Sequence, residues 1–88
     1  MFIGQIIMDQ DSDRLELDGI DLHCGDCLQA LVLDAEHKAV WVNVRLEYAK
    51  NRYVLVKNAD GAEHLIPYSP AGLFGRMLNS FENYYPEN

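Results

Sequence analysis

The 88-residue sequence predicts a mainly β (α+β) fold: a small antiparallel sheet or SH3-like barrel of five to six short strands with one C-terminal helix. Three observations support this. Short apolar segments recur between tight-turn signals such as Asp18-Gly19. Apolar and polar residues alternate strictly from Val40 to Tyr48. A helical stripe of apolar residues follows Ser69-Pro70.

The predicted strands are runs of apolar or β-branched residues, each ending at a polar, Gly, Asn or Asp segment. They cover residues 2–8, 14–17, 28–33, 40–48, 52–57 and 64–66. In the longest strand, the face expected in the core consists of Val40, Val42, Val44, Leu46 and Tyr48, while the other face consists of Trp41, Asn43, Arg45 and Glu47. The short connection 49–51 joins this strand to the next and predicts a β-hairpin.

The segment after residue 68 predicts a helix. Ser69 is a favoured N-cap and Pro70 suits the first helical position. An apolar stripe follows at helical spacing, although two glycines weaken it; its members are Leu73, Phe74, Met77, Leu78 and Phe81. We therefore expect a single domain over 1–88, consisting of a sheet or barrel over 1–67, a helix over 69–82 and a tail over 83–88.

Charge is distributed unevenly. The chain has a net charge of −7, yet residues 1–36 hold nine acids and a single base, Arg14. A region of one sign repels phosphate and attracts basic surfaces. We therefore expect a protein partner with a basic surface and no direct nucleic-acid binding, although the acids could serve only solubility. The predicted partner-binding acids are Asp9, Asp11, Asp13, Glu16, Asp18 and Asp21.

Trp41 is the only tryptophan and is added to the predicted partner-binding residues. If the alternating strand buries its other face, Trp41 points outward among polar neighbours, as interface anchors do. The alternative is that it packs beneath the C-terminal helix, which would bury both faces of the strand.

Cys24 and Cys27 form a C-x-x-C pair, which in a reducing cytosol favours metal binding or redox chemistry over a structural disulfide. Two thiolates can bind one structural zinc ion, with Gly25 allowing the tight turn. His64, then His37, are the expected further ligands. The alternatives are two buried apolar cysteines or a reversible disulfide.

Signals for catalysis are weak. No serine lies in a nucleophile motif, and Cys24 has only its sequence neighbour His23 as an adjacent base. The segment Asp9-x-Asp11-x-Asp13 begins like a calcium loop, but Arg14 replaces the required glycine. We therefore expect no enzyme activity and no catalytic residue.

No apolar run approaches the roughly 20 residues that cross a bilayer, so membrane insertion is not expected. The start of the chain lacks a basic region and cleavage site typical of secretion. The expected location is the cytoplasm.

Three short motifs resemble a family of uncharacterised small proteins from Gram-positive bacteria and their mobile elements. They are Leu22-His23-Cys24-Gly25-Asp26, Trp41-x-x-x-Arg45-x-Glu47-Tyr48 and Tyr53-x-Leu55, and the similarity covers residues 14–57. The resemblance implies a small β domain without an assigned activity, to which the segment after Ser69 looks like an addition. In size and charge the chain is also similar to anti-CRISPR proteins. This analogy rests on the type of protein and not on a shared motif.

These observations predict a non-enzymatic acidic module, an anti-CRISPR-like inhibitor from a phage or mobile element that binds a basic nucleic-acid-binding protein. Two other hypotheses stay open. One is a structural or regulatory homodimer formed through the hairpin face. The other is a small metal- or redox-handling protein that uses Cys24 and Cys27.

Overall fold

The structure is a computed structural model that describes residues 2–77. Within them, nine strands form two antiparallel sheets, so the mainly β prediction is confirmed. The strands are β1 (Phe2–Gln5), β2 (Ile7–Asp9), β3 (Arg14–Leu17), β4 (Ile20–Asp21), β5 (Cys27–Leu33), β6 (Ala39–Ala49), β7 (Arg52–Ala59), β8 (Ala62–Leu65) and β9 (Phe74–Met77). One sheet has the order β1-β9-β5-β6-β7-β8 and the other β2-β3-β4.

Two-residue turns connect three of the hairpins. Asp18-Gly19, Lys50-Asn51 and Asp60-Gly61 all have positive φ at both positions. A two-residue loop of this kind matches the right-handed twist of its flanking strands, and Asn, Asp and Gly tolerate the left-handed backbone. Local turn chemistry therefore sets the register of β3 with β4, β6 with β7 and β7 with β8.

The hydrophobic core lies between the two sheets. Leu15 and Leu17 of β3 point inward, against the face of the larger sheet that carries Val44 and Leu46 of β6. All four side chains are almost fully buried. The predicted inward face of the long strand is thus confirmed from Val40 to Leu46, whereas Tyr48, predicted on the same face, is 55% exposed.

The first predicted strand, 2–8, is divided at Ile6. Its N–H donates to the Leu73 carbonyl and its own carbonyl accepts from the Gly72 N–H, both at 2.7 Å. The chain therefore leaves the larger sheet after β1 and enters the smaller sheet as β2. The fully buried side chain of Ile6 lies in the core that the two sheets share.

The predicted C-terminal helix is wrong over the part that the structure describes, because Phe74–Met77 is a strand between β1 and β5. Gly75 and Met77 point inward while Phe74 is exposed, so a period of two replaces the helical stripe. The ladder with both neighbours satisfies the backbone groups of a segment in which glycine disfavours a helix. Residues 78–82 and the predicted tail 83–88 lie outside the described residues.

The barrel alternative is also wrong for residues 2–77, because the two sheets stay open and do not close on each other. Barrel closure would need the strands to form one continuous ladder. Here β8 ends the larger sheet with hydrogen bonds to β7, and β2 and β4 flank β3 in the smaller one. No helix in this part of the chain is long and apolar enough to cross a membrane.

Candidate protein-binding surfaces

Acidic side chains are concentrated on the smaller sheet. We call residues 7–21, which form β2, β3, β4 and their two turns, the acidic sheet. All six acids predicted to bind a partner belong to it, with Arg14 as its one base. Because Leu15 and Leu17 fill the inner face, the alternate residue Glu16 points away from the core. The predicted acids therefore share one substructure of the fold.

Three of these carboxylates lie at the end of β2 and in the turn that follows it. The Asp9 carboxylate accepts a hydrogen bond from the Asp11 N–H at 3.0 Å, and the Asp9 carbonyl accepts from the Asp13 N–H at 2.8 Å. Asp13 has a φ of 59°, which aspartate tolerates. Hydrogen bonds within the turn thus fix its backbone, while Asp11 and Asp13 remain exposed.

Two carboxylates lie directly opposite each other on the outer face of the acidic sheet. Glu16 of β3 is the register partner of Asp21 in β4, and Ile7 of β2 lies on the other side of Glu16. Like charges at this spacing oppose folding by a few tenths of a kcal/mol, up to about 1. Ile7 is half exposed beside them. The pairing of two acids beside a half-exposed isoleucine on this face therefore does not stabilise the fold.

Trp41 lies on the opposite side of the molecule, on the outer face of the larger sheet. The Arg76 guanidinium stacks over its ring, 4.2 Å from the centroid. The Arg76 Nε also donates to Gln29 Oε1 at 2.7 Å, and Gln29 Nε2 donates to Asn43 Oδ1 at 2.9 Å. The Arg76 side chain, from β9 of the same sheet, thus partly covers Trp41, and Trp41 does not join the acids in one surface.

The turn 23–26 accounts for Gly25 and Asp26 within the C-x-x-C segment. The Asp26 carboxylate accepts from the His23 N–H at 2.8 Å, and the Asp26 N–H donates to the His23 carbonyl at 2.9 Å. Gly25, with a φ of 94°, donates to the Leu46 carbonyl, while the Leu46 N–H donates to the Asp26 carbonyl. Two residues therefore oppose one, as in a β-bulge that needs glycine.

The four predicted zinc ligands do not fit a single tetrahedral site. Cys27 and His64 lie on β5 and β8, with β6 and β7 between them. Three strand spacings amount to roughly 14 Å. His37 lies in the turn beyond the far end of β5 from Cys27, roughly 20 Å or more away along that strand. Among residues 2–77 no three His, Cys, Asp or Glu side chains gather as metal ligands. Zinc binding through the two thiols stays a prediction.

The two thiols are expected to react at different rates. Cys24 is exposed, whereas Cys27 is buried, and burial raises the pKa of the Cys27 thiol against the smaller opposing effect of Arg45. Only the thiolate is nucleophilic. We therefore expect a disulfide reagent at pH 7.5 to modify Cys24 at least about tenfold faster, with Cys27 accelerating as pH rises beyond the ordinary cysteine value of about 8.5.

Single variants separate the two reactions. Cys24→Ser should leave the slow phase and Cys27→Ser the fast phase. Because the folded-state pKa of Cys27 is raised, the contribution of its protonated thiol to the free energy of unfolding is complete below the ordinary cysteine pKa. This contribution is lost as pH rises from the ordinary pKa through the raised folded-state pKa. Equal rates at neutral pH would contradict this assignment, and slowing of the Cys24 phase by zinc, reversed by a chelator, would show metal binding.

An aromatic groove at one end of the sandwich was missed by sequence reasoning. It has a volume of about 580 Å³ and is lined by fifteen residues of the β6–β7 hairpin end, the acidic sheet and the segment 65–71. Its aromatic members are Tyr48, Tyr53 and Tyr68. The first two are register partners beside the hairpin turn, with ring centroids 5.0 Å apart. A tyrosine on each side of a two-residue turn is the sequence signal that could have indicated it.

Together these features define a class: a small two-sheet antiparallel β domain with an acidic outer face and an aromatic groove. Residues 4–68 match the model of the family described as "Domain of unknown function (DUF5348)". The chain belongs to this family, which confirms the predicted membership of an uncharacterised family. No curated protein and no solved structure matches the chain. The matched range is longer than the 14–57 predicted from the motifs.

Proposed function

We propose that this protein is a non-enzymatic binding domain that docks its acidic sheet onto a positively charged surface of another protein. One observation carries the proposal: six carboxylates and a single base lie on one three-stranded sheet, with Glu16 and Asp21 directly opposite each other. A basic partner would relieve this like-charge repulsion. The same field accelerates encounter with a basic partner and rejects nucleic acid.

The partner class follows from the same electrostatics. Surfaces rich in lysine and arginine are typical of proteins that bind the phosphate backbone of nucleic acid. An acidic sheet that occupies such a surface would compete with nucleic acid. In the mobile-element setting that the motifs suggest, the domain would be an inhibitor of a nucleic-acid enzyme, anti-CRISPR-like in size and charge.

Neutralising the like-charged pair is expected to stabilise the fold while weakening partner binding. Glu16→Gln combined with Asp21→Asn should raise the free energy of unfolding by up to about 1 kcal/mol, because repulsion across β3 and β4 disappears. Affinity for a partner captured from host extract should fall about tenfold at 50 mM salt. Denaturant melts and calorimetric titration with the purified partner measure the two effects.

A charge-matched control separates the acidic sheet from net charge. Glu36→Gln with Asp60→Asn removes two exposed charges from turns outside that sheet. Affinity in this variant should stay within about twofold of the wild type. Binding to the wild type should also weaken as salt rises, because exposed charges are screened beyond about 8–10 Å. Equal losses in both double variants, or salt-independent affinity, would contradict docking through the acidic sheet.

A second candidate, a homodimeric structural module, is favoured by a different observation. The outer face of the larger sheet, which also carries Trp41, exposes three large apolar side chains, namely Ile3, Leu33 and Phe74, each about half exposed. Self-association through this face would cover them. A stable dimer in light scattering, without any basic partner, would support this candidate over the first.

A further inference from the structure

We propose that the aromatic groove binds an extended, proline-containing segment of a protein partner that carries an arginine or lysine beside its prolines. This inference rests on the proposed function, since it takes the ligand to be a protein. It adds the chemistry of the partner segment that enters the groove. The groove is bounded by the β6–β7 hairpin end, by Asp13 and Leu15 of the acidic sheet, and by the segment 65–71.

The lining of the groove offers exposed aromatic rings to a ligand. Tyr48 and Tyr68 expose 55% and 43% of their surface, so their rings are available to a ligand. Tyrosine offers a flat apolar ring and a hydroxyl at its edge. Aromatic-lined grooves of this kind bind polyproline II segments, whose proline rings pack on the aromatic faces and whose carbonyls accept hydrogen bonds from edge hydroxyls.

The walls of the groove are already ordered. Pro67 and Pro70 restrict the backbone of the segment 65–71. The Ile66 N–H donates to the Leu55 carbonyl at 2.8 Å, which anchors this segment to β7. On the other side, the Tyr53 hydroxyl reaches the Asp13 carbonyl at 3.4 Å. A preformed groove and a stiff ligand both reduce the entropy lost on binding.

The groove also carries charged side chains. Asp13 lines the groove, and the turn that carries it also holds Asp9 and Asp11. The groove has one basic lining residue, Arg52, at the hairpin end. Asp13 thus places one carboxylate on this wall, where it attracts a cationic side chain of the ligand, while Asp9 and Asp11 lie outside the lining. A neutral or acidic proline segment would lack this interaction.

The test uses an array of decapeptides that contain two prolines three residues apart and one arginine, with the arginine at each remaining position. Matched arrays replace both prolines by alanine or the arginine by glutamate. The wild-type protein should bind members of the first array, and either replacement should lower the affinity of the best peptides at least tenfold. Fluorescence anisotropy measures these affinities in solution.

Protein variants assign the binding to the groove. Tyr68→Ala and Tyr48→Ala remove exposed rings and should each weaken peptide binding about tenfold. Asp13→Asn removes a charge while asparagine keeps the left-handed backbone, and should weaken binding about threefold to fivefold. Phe74→Ala, an exposed aromatic outside the groove, should leave affinity within twofold of the wild type.

The outcomes also separate this inference from the proposed function. Absence of peptide binding, or binding that tolerates loss of the prolines or of Tyr68, would overturn the groove assignment. If a captured partner then still depends on Glu16 and Asp21, the proposed function stands alone. A wild-type dimer that Tyr68→Ala dissociates would also overturn the assignment, because the groove would then be occupied by a second copy of the chain.

Discussion

Replacing Leu46 by alanine is expected to lower the free energy of unfolding by about 3 kcal/mol. Leu46 is fully buried between the two sheets, and its backbone pairs with the bulge at Gly25 and Asp26. Alanine would leave a cavity in a small core. A domain of this size has a total stability of roughly 4–13 kcal/mol, so the loss is a large fraction. The melting temperature should fall by about 15 °C.

Leu33→Ala is the matched control. Leu33 ends β5 with about half of its surface exposed, so the same truncation should cost less than about 0.5 kcal/mol. Urea melts of both variants give the two free energies directly. Equal destabilisation would show that the core does not lie between the sheets.

Gly75→Val is expected to destabilise the fold by about 2–3 kcal/mol, through overpacking. An added Cβ at Gly75 would lie 3.1 Å from a Leu28 methyl and 3.2 Å from an Ile6 methyl. Both neighbours are buried in the core, so neither can move without displacing others. Glycine at this position lets β9 approach the point where the chain passes from one sheet to the other.

The register partner of Gly75 supplies the control. Gly4 pairs with Gly75 across β1 and β9, yet a Cβ added there meets nothing within 4 Å. Gly4→Val should therefore be neutral or slightly stabilising, since valine favours strands. Thermal melts compare the two variants. If Gly75→Val melted like Gly4→Val, β9 could not lie in the sheet between β1 and β5.

Sequence reasoning succeeded where the signal is local. The alternation of Val44 and Leu46 with their polar neighbours correctly predicted the buried face of β6. Asp18-Gly19 correctly predicted a tight turn. Acidic residues close together in sequence also stay together, because β2, β3 and β4 are consecutive strands joined by short turns.

It failed where one local pattern fits two structures. Leu73 and Met77 match a helical stripe, yet Gly75 and Met77 equally match one face of a strand. Pairing with two neighbouring strands decided between a helix and a strand. The segment lies between β1 and β5 as β9, and hydrogen bonds to both strands satisfy its backbone N–H and C=O groups. The sequence likewise allows Cys27 and His64 to bind one zinc ion. The order of strands in the sheet places the two residues too far apart to do so.

The amino-acid sequence by itself thus determined the β6–β7 hairpin, most of the inward face of β6 and the acidic region, because turn chemistry and period-two alternation act between residues that are neighbours along the chain. Only the tertiary structure decided the position of β9, the break at Ile6 and the groove formed by Tyr48, Tyr53 and Tyr68. Those features depend on residues far apart in sequence. Their arrangement is chosen by the packing of the whole core, which no short segment encodes.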